Sequence, residues 1–418
     1  MPRSIPGVLA ATLFCLSGLP ATAQELRLRH DLEGPALQAL STLTVRFNDQ
    51  QKGKGRIQLE SLPPPAERRH LPQLALLDIA ESREFFDTLP RFLPLHELPK
   101  ASGEKLEFRG IFPQVADAAD DAAGRLQALP LGLSLPVLYV NRRMLAAAGV
   151  DTAKPPSTWW ELQEVAGKLY DSGVKCPLTS SDFSWLHLEN LSSQHGQPVV
   201  LRQPNAERLM VNSLVNVKHI ALLASWQKSR YFHYSAGREG ESRFLAGECA
   251  MLTGNSSLFA EARRRGLDTG IHALPHYDDV HGASPADILP DGASLWVLAG
   301  LKKDQLQVAA RFMRFLLLPE NQRDWVKATT YLPMTPAAID ALRAAEAFPA
   351  NLLAAAQKRL AMPSKNSLRP RLGGARERLR AILGEEILPV WNADRPAKEA
   401  LDLTVQRANA TLPPARGR

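Results

Sequence analysis

Apolar residues in this chain fall into short unbroken runs and longer stretches at helical spacing, and the two kinds alternate along most of its length. Leu26 to Arg29 predicts a first strand. Leu37, Leu40, Leu43 and Phe47 then mark one face of a helix ending near Asp49, and Ile57 to Leu59 predicts a second strand. Leu74 to Ile79 predicts a third, followed by a helical stretch through Phe85 and Phe86 to Leu89. Strands alternating with helices predict an α/β sheet with parallel strands.

The middle of the chain is the most specific. Val137 to Val140 is an apolar run suited to a strand buried on both faces. Arg142 to Ala148 follows as a short helix closed by Gly149, and Pro155-Pro156 fixes a turn. Thr158 with Glu161 three residues on is a capping box opening a helix with Leu162, Val165, Ala166 and Leu169 on one face, which Gly173 ends. Farther on, Gly247 to Leu258 reads as a strand running into a loop and helix, and Leu295 to Ala299 as another strand. Leu306 to Leu318 is an amphipathic helix that stops at Pro319-Glu320-Asn321-Gln322.

At 418 residues the chain exceeds one ordinary core, which predicts two lobes. Residues 1–23 have the form of a secretory signal: Arg3, an apolar core from Val8 to Leu19, and Ala21-Thr22-Ala23 before the cleavage point. That apolar core is too short to span a membrane, and Cys15 lacks the small-residue context of a lipoprotein cysteine. An exported chain would leave Cys176 and Cys249 in an oxidising compartment, where a disulfide or two buried thiols are both compatible with the sequence. The net charge is +7 with a pI near 9.4. The arginines are scattered, and Arg263-Arg264-Arg265 reads as the solvated end of a helix, so nucleic acid is not an expected partner.

The phrases PVLYVN, AGVD and PPSTW, in the order strand, short helix, double proline and long helix, resemble the periplasmic solute-binding proteins of ABC importers, in particular the glycerol-3-phosphate-binding branch. Pro319-Glu320-Asn321-Gln322, Tyr331-Leu332-Pro333 and the ending around Trp391 and Ala400-Leu401-Asp402 share the likeness. The resemblance implies a two-lobed α/β fold with a ligand cleft between discontinuous lobes. Lobe one would take residues 24–133 and 275–330, and lobe two residues 134–274 and 331–418. It further implies a periplasmic monomer without cofactor or catalysis, which captures sn-glycerol-3-phosphate or a glycerophosphodiester and hands it to a membrane permease. A sugar or other small polar solute is the alternative ligand, and a secreted hydrolase a remote alternative function.

Six ligand positions follow from the resemblance. Ser134 stands just before the crossing strand. Gly292, in DGASLWV, suits a close backbone approach to an anion, with the Ala293 and Ser294 amides beside it. Tyr331 offers a phenol and a ring, and Arg380 a fork for an anionic group, with Arg378 as its rival. Asn255 aligns with a binding serine, and Ser256 adjoins it. Each has a plainer role as a turn, packing or surface residue.

Other positions depart from the family. The segment after the second strand is shortened to SLPPPAERRH and lacks the family's tyrosine. Asp78 and Glu81 are near misses for an acidic contact, and Asp182 replaces an aromatic residue. Lobe one's half of the site is therefore the altered half. His276, Asp278, Asp279 and His281 have metal-ligating chemistry, but a polar turn is the plainer reading and no metal is expected. Trp159-Trp160 could stack on a sugar, or pack beneath the lobe at the helix start. There is no nucleophile elbow, phosphate loop, dinucleotide fingerprint or H-E-x-x-H.

Overall fold

The computed structural model describes residues 24–61, 73–78, 92–121, 123–203, 206–280, 288–345, 353, 357, 360–361 and 373–411. Residues 1–23, the triple proline, Glu81, the stretch expected to be helical through Phe85 and Phe86, and His281 lie outside the described residues, as does the Arg378 side chain.

Strands β1 (Glu25–His30), β2 (Arg56–Ser61), β3 (Leu74–Asp78), β4 (Phe92–Leu93) and β5 (Leu129–Ser134) belong to one sheet. The chain then makes β6 (Pro136–Asn141) and β7 (Cys176–Ser180), a separate pair β8 (Val200–Gln203) and β9 (Ala206–Leu209), and β10 (Phe232–His233), β11 (Cys249–Asn255) and β12 (Thr269–Ala273). Strand β13 (Asp291–Leu298) returns to the first sheet. The sheets are ordered β2-β1-β3-β13-β4, with β5 also on β13, and β10-β7-β11-β6-β12. Neither closes on itself, and the two carry the two lobes.

The parallel expectation holds for β1, β2 and β3. It fails for β13, which runs antiparallel to β3, β4 and β5, and for β6 against β11 and β12. The physical reason is the crossing. β5 leaves the first sheet, Leu135 alone separates it from β6 in the second, and β13 re-enters beside β5 in the opposite direction. LPLGLS is itself a buried strand, not only the approach to one.

Helices cover both sheets. Leu40, Leu43 and Phe47 of Gly34–Gln51 pack with Phe312 and Phe315 of Lys303–Leu316, the Phe47 and Phe312 rings lying edge to face at 5.0 Å. The second core gathers Trp159, Leu162, Leu186, Trp226, Leu383 and Leu401. The capping box at Thr158 and Glu161 is formed in both directions, an arrangement worth about 1 kcal/mol. Pro319 opens a further helix, Pro319–Thr329, instead of only ending one. Asn321 and Gln322 there donate to the Phe315 and Leu317 carbonyls, satisfying the end of the preceding helix.

The two cores do not follow the chain's order: Tyr139, Phe244 and Leu252 pack in the first, and Tyr277 and Leu289 in the second. Leu332, Met334, Ile339 and Leu342 join the first core, because the helix Pro336–Ala344 lies against Pro319–Thr329. The helices Gly373–Trp391 and Ala397–Ala410 contribute to the second core. Cys176 and Cys249, in register on parallel β7 and β11, form a disulfide.

Candidate functional site

The polar residues at issue sit where the chain passes between sheets. Ser134 ends β5 directly opposite Asp291, the first residue of β13, and Gly292 pairs with Leu133. Gly292 has φ +138°, and a Cβ there would lie 2.1 Å from the Gly132 carbonyl oxygen, so the close approach of these strands requires glycine. Its amide already donates to Asp291 Oδ1 at 3.0 Å.

Arg380, from the helix Gly373–Trp391, reaches this point. Its Nη2 donates to Asp291 Oδ2 at 2.5 Å and its Nε to Glu189 Oε1 at 3.1 Å. Glu189 is fully buried and also accepts from Ser184 Oγ at 3.1 Å. Burial would lower the guanidinium's pKa, but Asp291 and Glu189 hold it well above the ordinary arginine value. Glu189 lies in a π-helical segment, Trp185–Asn190, whose wider turn brings all six of its side chains into the core.

A second cluster adjoins the first through Asp182. Asn255 Nδ2 donates to Glu241 Oε1 at 2.9 Å and to Asp182 Oδ2 at 3.3 Å, while its Oδ1 receives Ser257. Arg238 Nε donates to Glu241 Oε2 at 2.8 Å. Burial raises the pKa of both Asp182 and Glu241, against the lowering effects of Asn255 and Arg380 on the first and Arg238 on the second. Asp182 also stands at φ +43°, an uncommon backbone for a non-glycine residue.

Tyr331 is half-buried and stacks on Trp325 with ring centroids 5.7 Å apart. It lines a cavity of about 750 Å3 together with Arg238, Glu241, Ser257 and the start of the first long helix at Asp31 and Gly34. Ser256 plays a different part. Its buried hydroxyl receives the Leu135 amide at 3.0 Å and donates to the Thr330 carbonyl at 3.2 Å, which ties two passages of the chain together.

The structure thus brings Ser134, Gly292 and Arg380 together at one point, and Asn255 beside Arg238, Glu241 and Tyr331 at another. Ser256 and the Asn255 side chain are engaged by protein groups. Glu189, Asp291, Glu241 and Arg238 were missed by sequence reasoning. Asp291 adjoins a flagged glycine and Asp182 was noted as a departure, but nothing local marks the other three. Asp78 pairs with Ala293 across β3 and β13. Trp159 is buried and Trp160 is 41% exposed, its ring against Tyr277.

Behind the second cluster runs a buried chain of neutral groups. His187 meets Ser180, Thr253 and His219 at 2.9–3.0 Å, and His219 meets the Tyr277 hydroxyl at 2.8 Å. Burial lowers the His187 pKa to about 3 and that of His219 well below the usual value. Ser180 and His187 are both fully buried, so this contact presents no nucleophile to a solute. His276 bridges to Thr158 through the backbone, and among the described residues no three His, Cys, Asp or Glu side chains are grouped to hold a metal ion.

Two lobes on separate open sheets, joined by several crossings with polar groups at the junction, define the class of two-lobed binding proteins. The fold matches maltose-bound MalE3 of T. maritima with a TM-score of 0.74 at 17% identity, covering 93% of this chain and all of that one. It also matches UgpB from Mycobacterium tuberculosis in complex with glycerophosphocholine, with a TM-score of 0.72 at 16% identity over 93% of this chain and 98% of that one. Residues 78–352 match the bacterial extracellular solute-binding protein family, and the chain belongs to it. The sn-glycerol-3-phosphate-binding periplasmic protein UgpB of Salmonella paratyphi A is 35% identical over 329 residues, 76% of this chain and 75% of that protein. The UgpB of Escherichia coli K12 is 34% identical over the same shares. The chain is therefore a substrate-binding component of an ABC importer, a carrier that binds a small molecule and delivers it to a permease. Its relatives are binding proteins rather than enzymes and are periplasmic, and no described helix is long and apolar enough to cross a membrane.

Proposed function

We propose that this protein captures a glycerol phosphate ester, sn-glycerol-3-phosphate or a glycerophosphodiester, in the periplasm as a monomer exported through residues 1–23. The observation that carries the reading is the 35% identity to a glycerol-3-phosphate-binding protein across three quarters of both chains. The junction of Ser134, the Gly292 backbone and Arg380 supports it, since a guanidinium fork and a glycine-bared backbone suit a phosphate. Tyr331 supplies an aromatic surface for the glycerol carbons, and Asn255 a polar group nearby. Lobe one comprises residues 24–134 and the return through β13, extended here to the helix ending at Ala344, and lobe two the remainder. Ligand contacting both lobes favours the closed form by its differential affinity.

One observation favours a second reading, a sugar or other small neutral solute: Arg380 already holds two carboxylates. A thermal-shift screen of glycerol-3-phosphate, glycerophosphodiesters, sugars and small anions separates the two. A ligand at a hundred times its Kd stabilises by about 2.7 kcal/mol. Stabilisation by phosphate esters alone supports the first reading, and by sugars alone refutes it.

A further inference from the structure

We infer that Asp291 is a specificity-determining residue of the cleft, an internal anion that occupies Arg380 across the lobes and sets the site against doubly charged phosphate monoesters. The inference rests on the phosphate-ester reading of the same site.

Arg380 and Glu189 belong to the second core's side of the molecule, whereas Asp291 opens β13 of the first sheet. The contact of 2.5 Å between Arg380 Nη2 and Asp291 Oδ2 therefore spans the junction that a ligand has to enter. Glu189 pairs with the guanidinium from within the second lobe, fully buried and supported by Ser184. Asp291 is the additional charge. Two carboxylates thus meet one guanidinium at this point, and Asp182 and Glu241 stand beside them, Glu241 accepting from Arg238 and both accepting from Asn255.

A phosphate monoester, close to doubly charged near neutral pH, has to displace Asp291 from Arg380 and then lie beside its carboxylate. A phosphodiester carries one charge and meets about half of that repulsion. A neutral polyol meets none. Asp291 also receives the Gly292 amide, so the same carboxylate competes for the backbone donor that the bare strand junction offers an incoming oxygen. It thus stands in for an anionic ligand at both contacts, Arg380 and the Gly292 amide.

The test is Asp291→Asn, which keeps the shape and removes the charge, with Asp291→Ala as a second variant and thermal melts to verify that each is folded. Calorimetry compares sn-glycerol-3-phosphate with glycerophosphocholine on parent and variants. A charge-assisted contact returned to the ligand corresponds to roughly a tenfold to hundredfold gain in affinity. The expected result is a gain of that order for the monoester, at least threefold larger than the gain for the diester. Equal or weaker binding of both esters by folded variants overturns the inference, because Asp291 would then only position Arg380. If neither ester binds parent or variants, the phosphate-ester reading itself fails and the inference with it. Binding of both by the parent without a change in their ratio in Asp291→Asn refutes the inference alone.

Discussion

Gly292→Ala is the sharpest probe of how the strand junction is built. The added Cβ would stand 2.1 Å from the Gly132 oxygen, 3.1 Å from its carbonyl carbon and 3.3 Å from Leu133 Cα, all backbone atoms that cannot rotate away. An ordinary carbon–oxygen contact needs more than about 3 Å, so β5 and β13 would have to part by roughly 1 Å. Alanine at φ +138° adds about 1–3 kcal/mol of backbone strain, and overpacking adds about 1–3 kcal/mol. The sum is about 2–6 kcal/mol. Gly132→Ala is the matched control, because its nearest neighbours, the Cβ and oxygen of Ala293, lie at 3.4 Å, an ordinary contact. It should change stability by less than about 1 kcal/mol in either direction. Urea unfolding followed by tryptophan fluorescence reads both, with the m-value confirming that the same surface unfolds. Gly292→Ala should also reduce ligand affinity, since the junction places Ser134 opposite Asp291. The reasoning is wrong if Gly292→Ala unfolds within about 0.5 kcal/mol of the parent, or if Gly132→Ala is the more damaging change.

Three further outcomes are expected. Arg380→Ala should weaken binding of an anionic ester more than Tyr331→Phe does, and it should lower stability by about 3–5 kcal/mol because Glu189 is left buried without its cation; calorimetry and a melt read the two effects. Reducing Cys176–Cys249, which closes a loop with a separation of 73 residues, should cost up to about 4 kcal/mol, seen as a lower melting temperature in dithiothreitol and absent in Cys176→Ala. Acid should destabilise the fold through His187, whose pKa is about 3 when folded and near 6.5 when unfolded. The unfolded chain takes up the proton first, so stability is full above about pH 6.5 and falls toward pH 3; a flat urea midpoint between pH 7 and pH 4.5 would refute this.

Much of the fold was legible because its signals are local. The capping box at Thr158 and Glu161, the buried run from Val137 to Val140 and the helical faces of Leu40 and Phe312 each report their own element within a few residues. The family likeness rests on the same stretches. The antiparallel return of β13 left no such trace, because strand direction depends on where the chain comes from. The second helix at Pro319 was hidden by reading proline as a stop, although proline is equally at home in a helix's first turn. The disulfide stayed undecided until β7 and β11 fixed the register of Cys176 and Cys249. At the site, Arg380 was visible through resemblance, whereas its partners Glu189 and Asp291 lie 191 and 89 residues away. Ion pairs of that separation are set by tertiary packing alone.

The energetics of closure explain why the transport class is better determined than the ligand. Moving a two-state protein from 1% to 99% closed takes about 5.5 kcal/mol of differential affinity. A hydrogen bond to a charged group supplies about 1.5–3 kcal/mol, so a few such contacts spanning both lobes suffice. The fold draws its stability from two cores of apolar side chains, and Ser256 secures the passages at Leu135 and Thr330 through its own hydrogen bonds. A handful of polar substitutions can therefore redirect such a carrier while leaving its architecture unchanged. Asp182, which the family resemblance sets in place of an aromatic residue, is a change of that kind, since it contributes no apolar side chain to either core. On the proposed phosphate-ester reading, ligand choice in this chain turns on how Arg380 divides its hydrogen bonds between its own carboxylates and the solute.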